Sequence, residues 1–258
     1  MKKKLILPLI AAPLLSSLLL SGCGNGSSLT VGVRTNLDNF STYNESADMY
    51  YGFEADFAAA LAKEMGYSGV RYVGLLADDR ESALENEDVD CIVAAYSYTD
   101  ERAEKYDLST PYYNDEGRVM VEKSSLFTDY ADLEGATVAV RVNTTARAHL
   151  TEKLAELGLI ADESDKALSS FLTIAEYETY DEMNAALESG EVDAVCADGA
   201  ISMSWLGDGR IWFDQAYSAE DYVVATAQGS KLSAKIDSAV VKLVENGTVA
   251  SLMEKWGV

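Results

Sequence analysis

The feature that most constrains this chain is an internal repeat. Thr30-Val31-Gly32-Val33-Arg34-Thr35-Asn36 returns as Thr137-Val138-Ala139-Val140-Arg141-Val142-Asn143, with five of seven positions identical. Leu61-Ala62-Lys63-Glu64-Met65-Gly66 has a counterpart in Leu154-Ala155-Glu156-Leu157-Gly158. Ala83-Leu84-Glu85 followed by Asp88-Val89-Asp90 returns as Ala186-Leu187-Glu188 followed by Glu191-Val192-Asp193. The pieces keep their order but not a constant period, so a solenoid is excluded and two similar lobes are expected.

Each copy reads strand, helix, strand, helix, strand. The first copy opens with a strand at Leu29–Val33. Its helix carries Phe53, Phe57, Leu61 and Met65 at i, i+4 spacing and stops at Gly66. A strand near Val70–Leu75, a short helix near Arg80–Asn86 and a strand Val89–Ala94 complete it. The second copy predicts a strand Thr137–Val140, a helix from about Thr145 to Leu157, a strand near Leu172–Tyr177, a helix Asp181–Ser189 and a strand Val192–Ala197. Such alternation implies parallel sheets covered by helices, hence α/β. Ligands of open α/β sheets sit beyond the carboxyl ends of the strands. Two lobes facing each other therefore make a cleft lined by strand ends.

That rule nominates Arg34 to Phe40, Ala77 to Arg80 and Ala95 to Arg102 in the first copy. In the second it nominates Arg141 to Ala146 and Ala197 to Gly199. Arg34, Arg80 and Arg102 gather at one mouth, and a guanidinium grips a carboxylate with two parallel hydrogen bonds. Each arginine has a local alternative in Asp38, Asp78 or Glu101. Asp198 stands one residue past a buried strand, as a ligand group or as the cap of a following helix. Asn143-Thr144-Thr145-Ala146 is a turn into a helix start, either a plain cap or an anion-binding terminus.

The first 20 residues are three lysines and an apolar run with Pro8 and Pro13, which reads as a secretory leader. It exits through Leu20-Ser21-Gly22-Cys23, similar to the lipobox of bacterial lipoproteins, in which the cysteine is lipidated. Gly24-Asn25-Gly26-Ser27-Ser28 reads as a flexible tether. Once Lys2, Lys3 and Lys4 leave with the leader, 17 basic residues face 43 acidic ones, a formal charge of −26. A polyanion such as nucleic acid is a poor partner for that surface. No Walker loop, Gly-x-Gly-x-x-Gly or Gly-x-Ser-x-Gly occurs, and His149 is the only histidine, expected as an ordinary helix residue. No catalytic set, metal site or cofactor is nominated. Cys91 and Cys196 sit in buried-strand patterns of different lobes and are expected as free thiols, with a disulfide as the alternative.

From Leu29 to Val258 the chain resembles the polar-amino-acid solute-binding proteins of ABC importers, family 3. Tyr96-Ser97-Tyr98-Thr99-Asp100-Glu101-Arg102-Ala103 followed by Leu108-Ser109-Thr110-Pro111-Tyr112-Tyr113 is similar to the family's "T-x-T-x-E-R … F-S-x-P-Y-Y" segment. Gly52-Phe53-Glu54-Ala55-Asp56-Phe57-Ala58 is similar to its "G-F-D-x-D-L-A" helix start, and Asn246-Gly247-Thr248 with Glu254-Lys255-Trp256 to its "D-G-T … E-K-W" end. The resemblance implies a periplasmic-binding-protein-like fold: two α/β lobes with parallel-rich sheets and a ligand cleft between them. Residues 1–22 would be the leader and 23–28 the lipidated tether. Residues 29–117 plus 219–258 would form lobe 1 and 118–218 lobe 2, with crossings near Asn114–Gly117 and Tyr217–Asp221.

The resemblance also implies roles. Arg102 and Ser97 would grip a ligand α-carboxylate, completed by Thr144 and Thr145. Asp198 would take the α-ammonium, and Ala95 would offer its carbonyl. Asp79-Arg80 with Ala83-Leu84 is similar to the "T-R-x-x-L-L" of the acidic-amino-acid branch, Asn39-Phe40 matches its "N-F", and Glu176-Tyr177-Glu178-Thr179-Tyr180 resembles its "E-F-x-x-Y". Arg34, Arg80 and Phe40 would then serve the ligand side chain. Gly199 departs from that branch, which often has lysine there, and Ala77 replaces the aromatic residue of many basic-amino-acid binders. The implied function is a monomeric extracytoplasmic receptor, lipid-anchored through Cys23 to the outer face of the cytoplasmic membrane. It would capture glutamate or aspartate and hand it to the permease subunits of an ABC importer. The alternatives are a neutral polar amino acid such as glutamine, or a dehydratase or lytic transglycosylase on the same fold.

Overall fold

The computed structural model describes residues 27–258; Cys23 and the leader lie outside the described residues. Two sheets carry the architecture. The first runs Gly69–Gly74, Ser28–Val33, Cys91–Ile92, Ala225–Ala227, Tyr106–Leu108. The second runs Thr173–Tyr177, Thr137–Arg141, Ala194–Asp198, Tyr113–Glu122, Arg210–Trp212, with Ser218–Tyr222 also pairing Tyr113–Glu122. The repeat is thus a repeat of topology: in each sheet the first strand of its copy lies between the second and third.

One side chain in each copy shows why the sequence recurs. Asp90 accepts the backbone N–H of Thr30 at 2.7 Å, and Asp193 accepts that of Thr137 at 2.8 Å. Each aspartate also donates its own N–H to the carbonyl of the same threonine. The third strand is thereby clipped to the start of the first, in both lobes, by the same residue type.

The sheets are mixed rather than parallel-rich. Within each copy the three strands are parallel. Beyond them the neighbours are antiparallel, because the chain returns from the other lobe. The residues expected at the crossings pair with one another: Tyr113–Gly117 lies antiparallel to Ser218–Tyr222, Gly117 facing Ser218 and Asn114 facing Asp221. Gly117 is required there. A Cβ would stand 2.2 Å from the Tyr217 ring and 2.3 Å from the Ser218 hydroxyl.

Two features escape the periodicity. A three-stranded sheet, Asn36–Leu37, Ser41–Asn44 and Met49–Tyr51, follows the first strand. The helix Asp165–Phe171 follows the helix Ala146–Glu156. Both are short, strands of two to four residues and a helix of seven, too few to set up a period. Cys91 and Cys196 are free and fully buried, one in each sheet. Among the described residues no helix is long and apolar enough to cross a membrane.

Candidate ligand-binding site

The strand ends converge on one cavity of about 20 Å³ between the lobes. It is lined by Arg34, Arg80, Ala95, Ser97 and Arg102 from the first lobe, and by Thr144, Thr145, Tyr180, Asp198 and Ile201 from the second. Space on this scale admits about one water molecule. A wider cavity of about 450 Å³ adjoins it, sharing Arg80, Arg102, Thr144 and Thr145 and adding Asp78 and His149. A cavity of about 510 Å³ around Thr128, Tyr130 and Phe213 lies in the second lobe, apart from the strand ends, and has no cationic side chain in its wall.

Of the nine residues given a ligand-binding role, Phe40 is the one that does not line this cavity. Asn39 turns the backbone into the left-handed region, φ 59°, and the carbonyls of Asn39 and Phe40 receive the N–H groups of Phe53 and Glu54. The ring is fully buried against Phe53, Tyr113 and Tyr222, with centroids 5.1, 5.0 and 5.7 Å away. Phe40 therefore belongs to the core beneath the crossings and does not line the cavity.

The three arginines are held by groups other than the local acids. Arg80 donates to three carbonyls, those of Ala77 (2.8 Å), Ala94 (3.0 Å) and Ala95 (2.6 Å). Burial, together with the charges of Arg34 and Arg102, pulls its pKa down to about 10. Arg102 lies in the first turn of the helix Asp100–Lys105, where its backbone N–H bonds the Thr99 cap, and its guanidinium donates to the Ser97 carbonyl at 2.7 Å. Its nearest carboxylate is Glu81, at 3.7 Å. Tyr96 lies between the two guanidiniums, 4.1 Å from Arg102 and 5.1 Å from Arg80 measured to the ring centre. Arg34 bonds only Asn36 Oδ1 (3.1 Å), and its buried Nε has no partner among the described residues.

Burial lowers the Arg34 pKa, with the Arg141 charge adding to the effect and Tyr180 opposing it. The Tyr180 ring faces Arg34 at 6.0 Å and Arg141 at 5.7 Å. Arg141 is neutralised from the opposite lobe by Asp78, which Asn143 also reaches at 3.1 Å.

Carboxylates stand opposite. Asp198 occupies the cap position of the turn Gly199–Ser202 but makes no cap bond with its side chain. It accepts instead from the Tyr222 hydroxyl at 2.5 Å. Burial, with Glu220 and Asp115 close by, pushes its pKa up to about 8. Gly199 follows because Asp115 is already there: a Cβ would meet its Oδ1 at 2.8 Å, and Ala200 donates its N–H to Oδ2 at 2.9 Å. Glu54, fully buried, accepts from the Ala95 N–H at 2.6 Å and from the Tyr112 hydroxyl, and burial raises its pKa to about 7. That bond holds Ala95 at φ 46°, a conformation costly for alanine, which turns its carbonyl onto Arg80.

Sequence reasoning overlooked Tyr180, Ile201, Glu54 and Glu220. Tyr180 was within reach of the strand-end rule, since it follows the strand Thr173–Tyr177 behind a Thr179 cap. His149 does sit on the helix Ala146–Glu156, but its ring pairs with Glu220 at 2.8 Å. Among the described residues no group of three or more His, Cys, Asp or Glu is placed to hold a metal ion.

The model of the bacterial extracellular solute-binding proteins, family 3, matches residues 29–258. The ABC transporter glutamine-binding protein GlnH of Bacillus subtilis is 25% identical over 92% of this chain and 84% of its own length. The L-arginine-binding protein of Pseudomonas aeruginosa is 28% identical over 97% of this chain and 95% of its own length. Among solved structures, an ancestral arginine-binding protein bound to arginine superposes with a TM-score of 0.73 at 27% identity, covering 89% of this chain and 97% of that one.

Proposed function

The chain belongs to the bacterial extracellular solute-binding proteins, family 3, and from that premise we propose that it captures an amino acid between its lobes for an ABC importer. The relatives' names supply the substrate class: one is a glutamine-binding and another an arginine-binding protein. Charge supplies the finer reading, a dicarboxylic amino acid, glutamate or aspartate. The observation that carries it is the cavity wall itself, with three guanidiniums, Arg34, Arg80 and Arg102, against the single carboxylate of Asp198. A zwitterion uses one cation and one anion. The surplus cations call for a second carboxylate, and the unpartnered Nε of Arg34 is a donor without an acceptor. A guanidinium side chain on the ligand would be repelled by the same wall, which disfavours arginine. Glutamine remains the second reading, favoured by the glutamine-binding relative.

In this reading Cys23 is lipidated after removal of residues 1–22, and the receptor works as a monomer on the outer face of the cytoplasmic membrane. The lobes are residues 29–117 with 219–258, and 118–218. Calorimetry with all twenty amino acids tests the ligand. Heat from glutamate or aspartate and none from arginine is the expected result. Preference for glutamine would overturn the dicarboxylic assignment, and turnover of a dehydratase or transglycosylase substrate would overturn the receptor.

A further inference from the structure

Asp198 stands at the cap position of the turn Gly199–Ser202, yet another residue caps that turn. Ala200 gives its N–H to Asp115 Oδ2 at 2.9 Å, and Asp115 Oδ1 receives the Glu116 N–H at 2.8 Å. Asp115 lies in the outgoing crossing, on the strand Tyr113–Glu122, and Tyr222 ends the returning strand Ser218–Tyr222. The two strands are paired, with Tyr222 facing Tyr113. Tyr222 is fully buried, its ring 5.7 Å from those of Phe40 and Tyr113, so its hydroxyl has a fixed place. That hydroxyl is 2.5 Å from Asp198 Oδ2 and 3.2 Å from Asp115 Oδ2. It has one proton to give. Asp115 is already supplied by two backbone N–H groups, so the proton goes to the nearer acceptor, Asp198. Asp198 Oδ1 makes no hydrogen bond among the described residues, and the residue lines the cavity.

We propose that Asp115 and Tyr222, one from each crossing, are positioning residues for Asp198. Asp115 takes over the cap, so Asp198 does not turn back onto its own helix. Tyr222 fixes one carboxylate oxygen and leaves the other to the cavity. Neither of the two lines the cavity, so both act through Asp198. The inference rests on the amino-acid reading above, in which Asp198 takes the ligand ammonium, and adds the groups that hold it in place. The charges around Asp198 agree with it. Glu220 and Asp115 oppose ionisation of Asp198, whereas the Tyr222 bond and Arg80 favour it. Tyr180, Tyr217 and His149 also feel its charge.

The test is calorimetry on the purified protein between pH 7 and 9, with L-glutamate, or L-glutamine where that is the better ligand. Tyr222→Phe keeps the ring between Phe40 and Tyr113 and removes only the hydroxyl. Asp198 then holds its proton more tightly. Affinity should fall about tenfold at pH 7 and only about twofold at pH 9. The pH at which proton release on binding is half complete should rise by about one unit. An equal loss at both pH values with that midpoint unmoved, or no loss at all, would overturn the inference. Asp115→Asn and Asp115→Ala remove the same charge, but only asparagine can still accept the Ala200 N–H. The alanine variant should bind about tenfold more weakly than the asparagine variant, as Asp198 is drawn to the cap. This pair decides if Tyr222→Phe does not fold, and equal affinity in the two would overturn the inference. Wild-type protein that gives no heat with any of the twenty amino acids would overturn the receptor reading on which it rests.

Discussion

Asp78 of the first lobe and Arg141 of the second form a two-pronged ion pair across the cleft, at 3.3 and 3.0 Å. Arg141 is 6% exposed and Asp78 36%, so the pair is only partly screened. It bridges 63 positions of sequence and joins the turn after the strand Gly69–Gly74 of the first copy to the last residue of the strand Thr137–Arg141 of the second. The bond exists only while the lobes are together, which makes it a contribution to closure.

Asp78→Ala should therefore favour the open form. Truncation leaves a buried guanidinium without its partner, worth about 1–2 kcal/mol after allowance for the exposed side of the pair. Solution scattering of the ligand-free variant should give a larger radius of gyration than wild type, and amino-acid affinity should fall about tenfold. An unchanged radius and affinity would show that the lobes close without the pair.

The two side-chain arginines separate cleanly by their other duties. Arg80 holds three carbonyls of its own lobe, so Arg80→Ala should lower the melting temperature as well as affinity. Arg34 has one side-chain partner, Asn36, and is the better probe of ligand charge. Arg34→Gln should cost glutamate roughly 2 kcal/mol or more and glutamine much less. Equal weakening of both would remove the dicarboxylic assignment. Arg102→Ala should abolish binding of every amino acid.

Proton linkage gives a third expectation. Burial, with Glu220 and Asp115, raises Asp198 to about 8, and burial raises Glu54 to about 7. An acid whose folded pKa exceeds its unfolded value binds its proton more tightly when folded. Its contribution to stability is then greatest at low pH and declines as pH rises from about 4 through the folded value. Ligand-free protein should melt at lower temperature at pH 8.5 than at pH 5.5, and Glu54→Gln should flatten the difference. A ligand ammonium needs Asp198 ionised, so binding at pH 7 should release close to one proton. Calorimetry in buffers of different ionisation heat measures that number, and proton uptake would contradict it.

Anchoring is tested outside the described residues. Cys23→Ser should leave the protein unprocessed at the lipobox or release it from the membrane fraction. A processed variant that remains membrane-bound would remove the lipid assignment.

Local pattern determined much of this molecule. The repeat implied two lobes, and the paired aspartates Asp90 and Asp193 show that like sequence builds like strand order. The strand-end rule reached eight of the ten cavity residues, because a strand's direction and its last residue are written in consecutive side chains. What the tertiary structure decided is how groups far apart in sequence meet. Asp78 with Arg141, Thr145 with Glu220, and Tyr180 between Arg34 and Arg141 all join segments separated by tens to more than a hundred residues. Phe40 shows the same limit from the other side. Its position past a strand matched the rule, but the left-handed turn at Asn39 and the fit among Phe53, Tyr113 and Tyr222 drew it into the core. Glu220 likewise reaches the Thr145 hydroxyl only when the returning strand Ser218–Tyr222 pairs with Tyr113–Glu122.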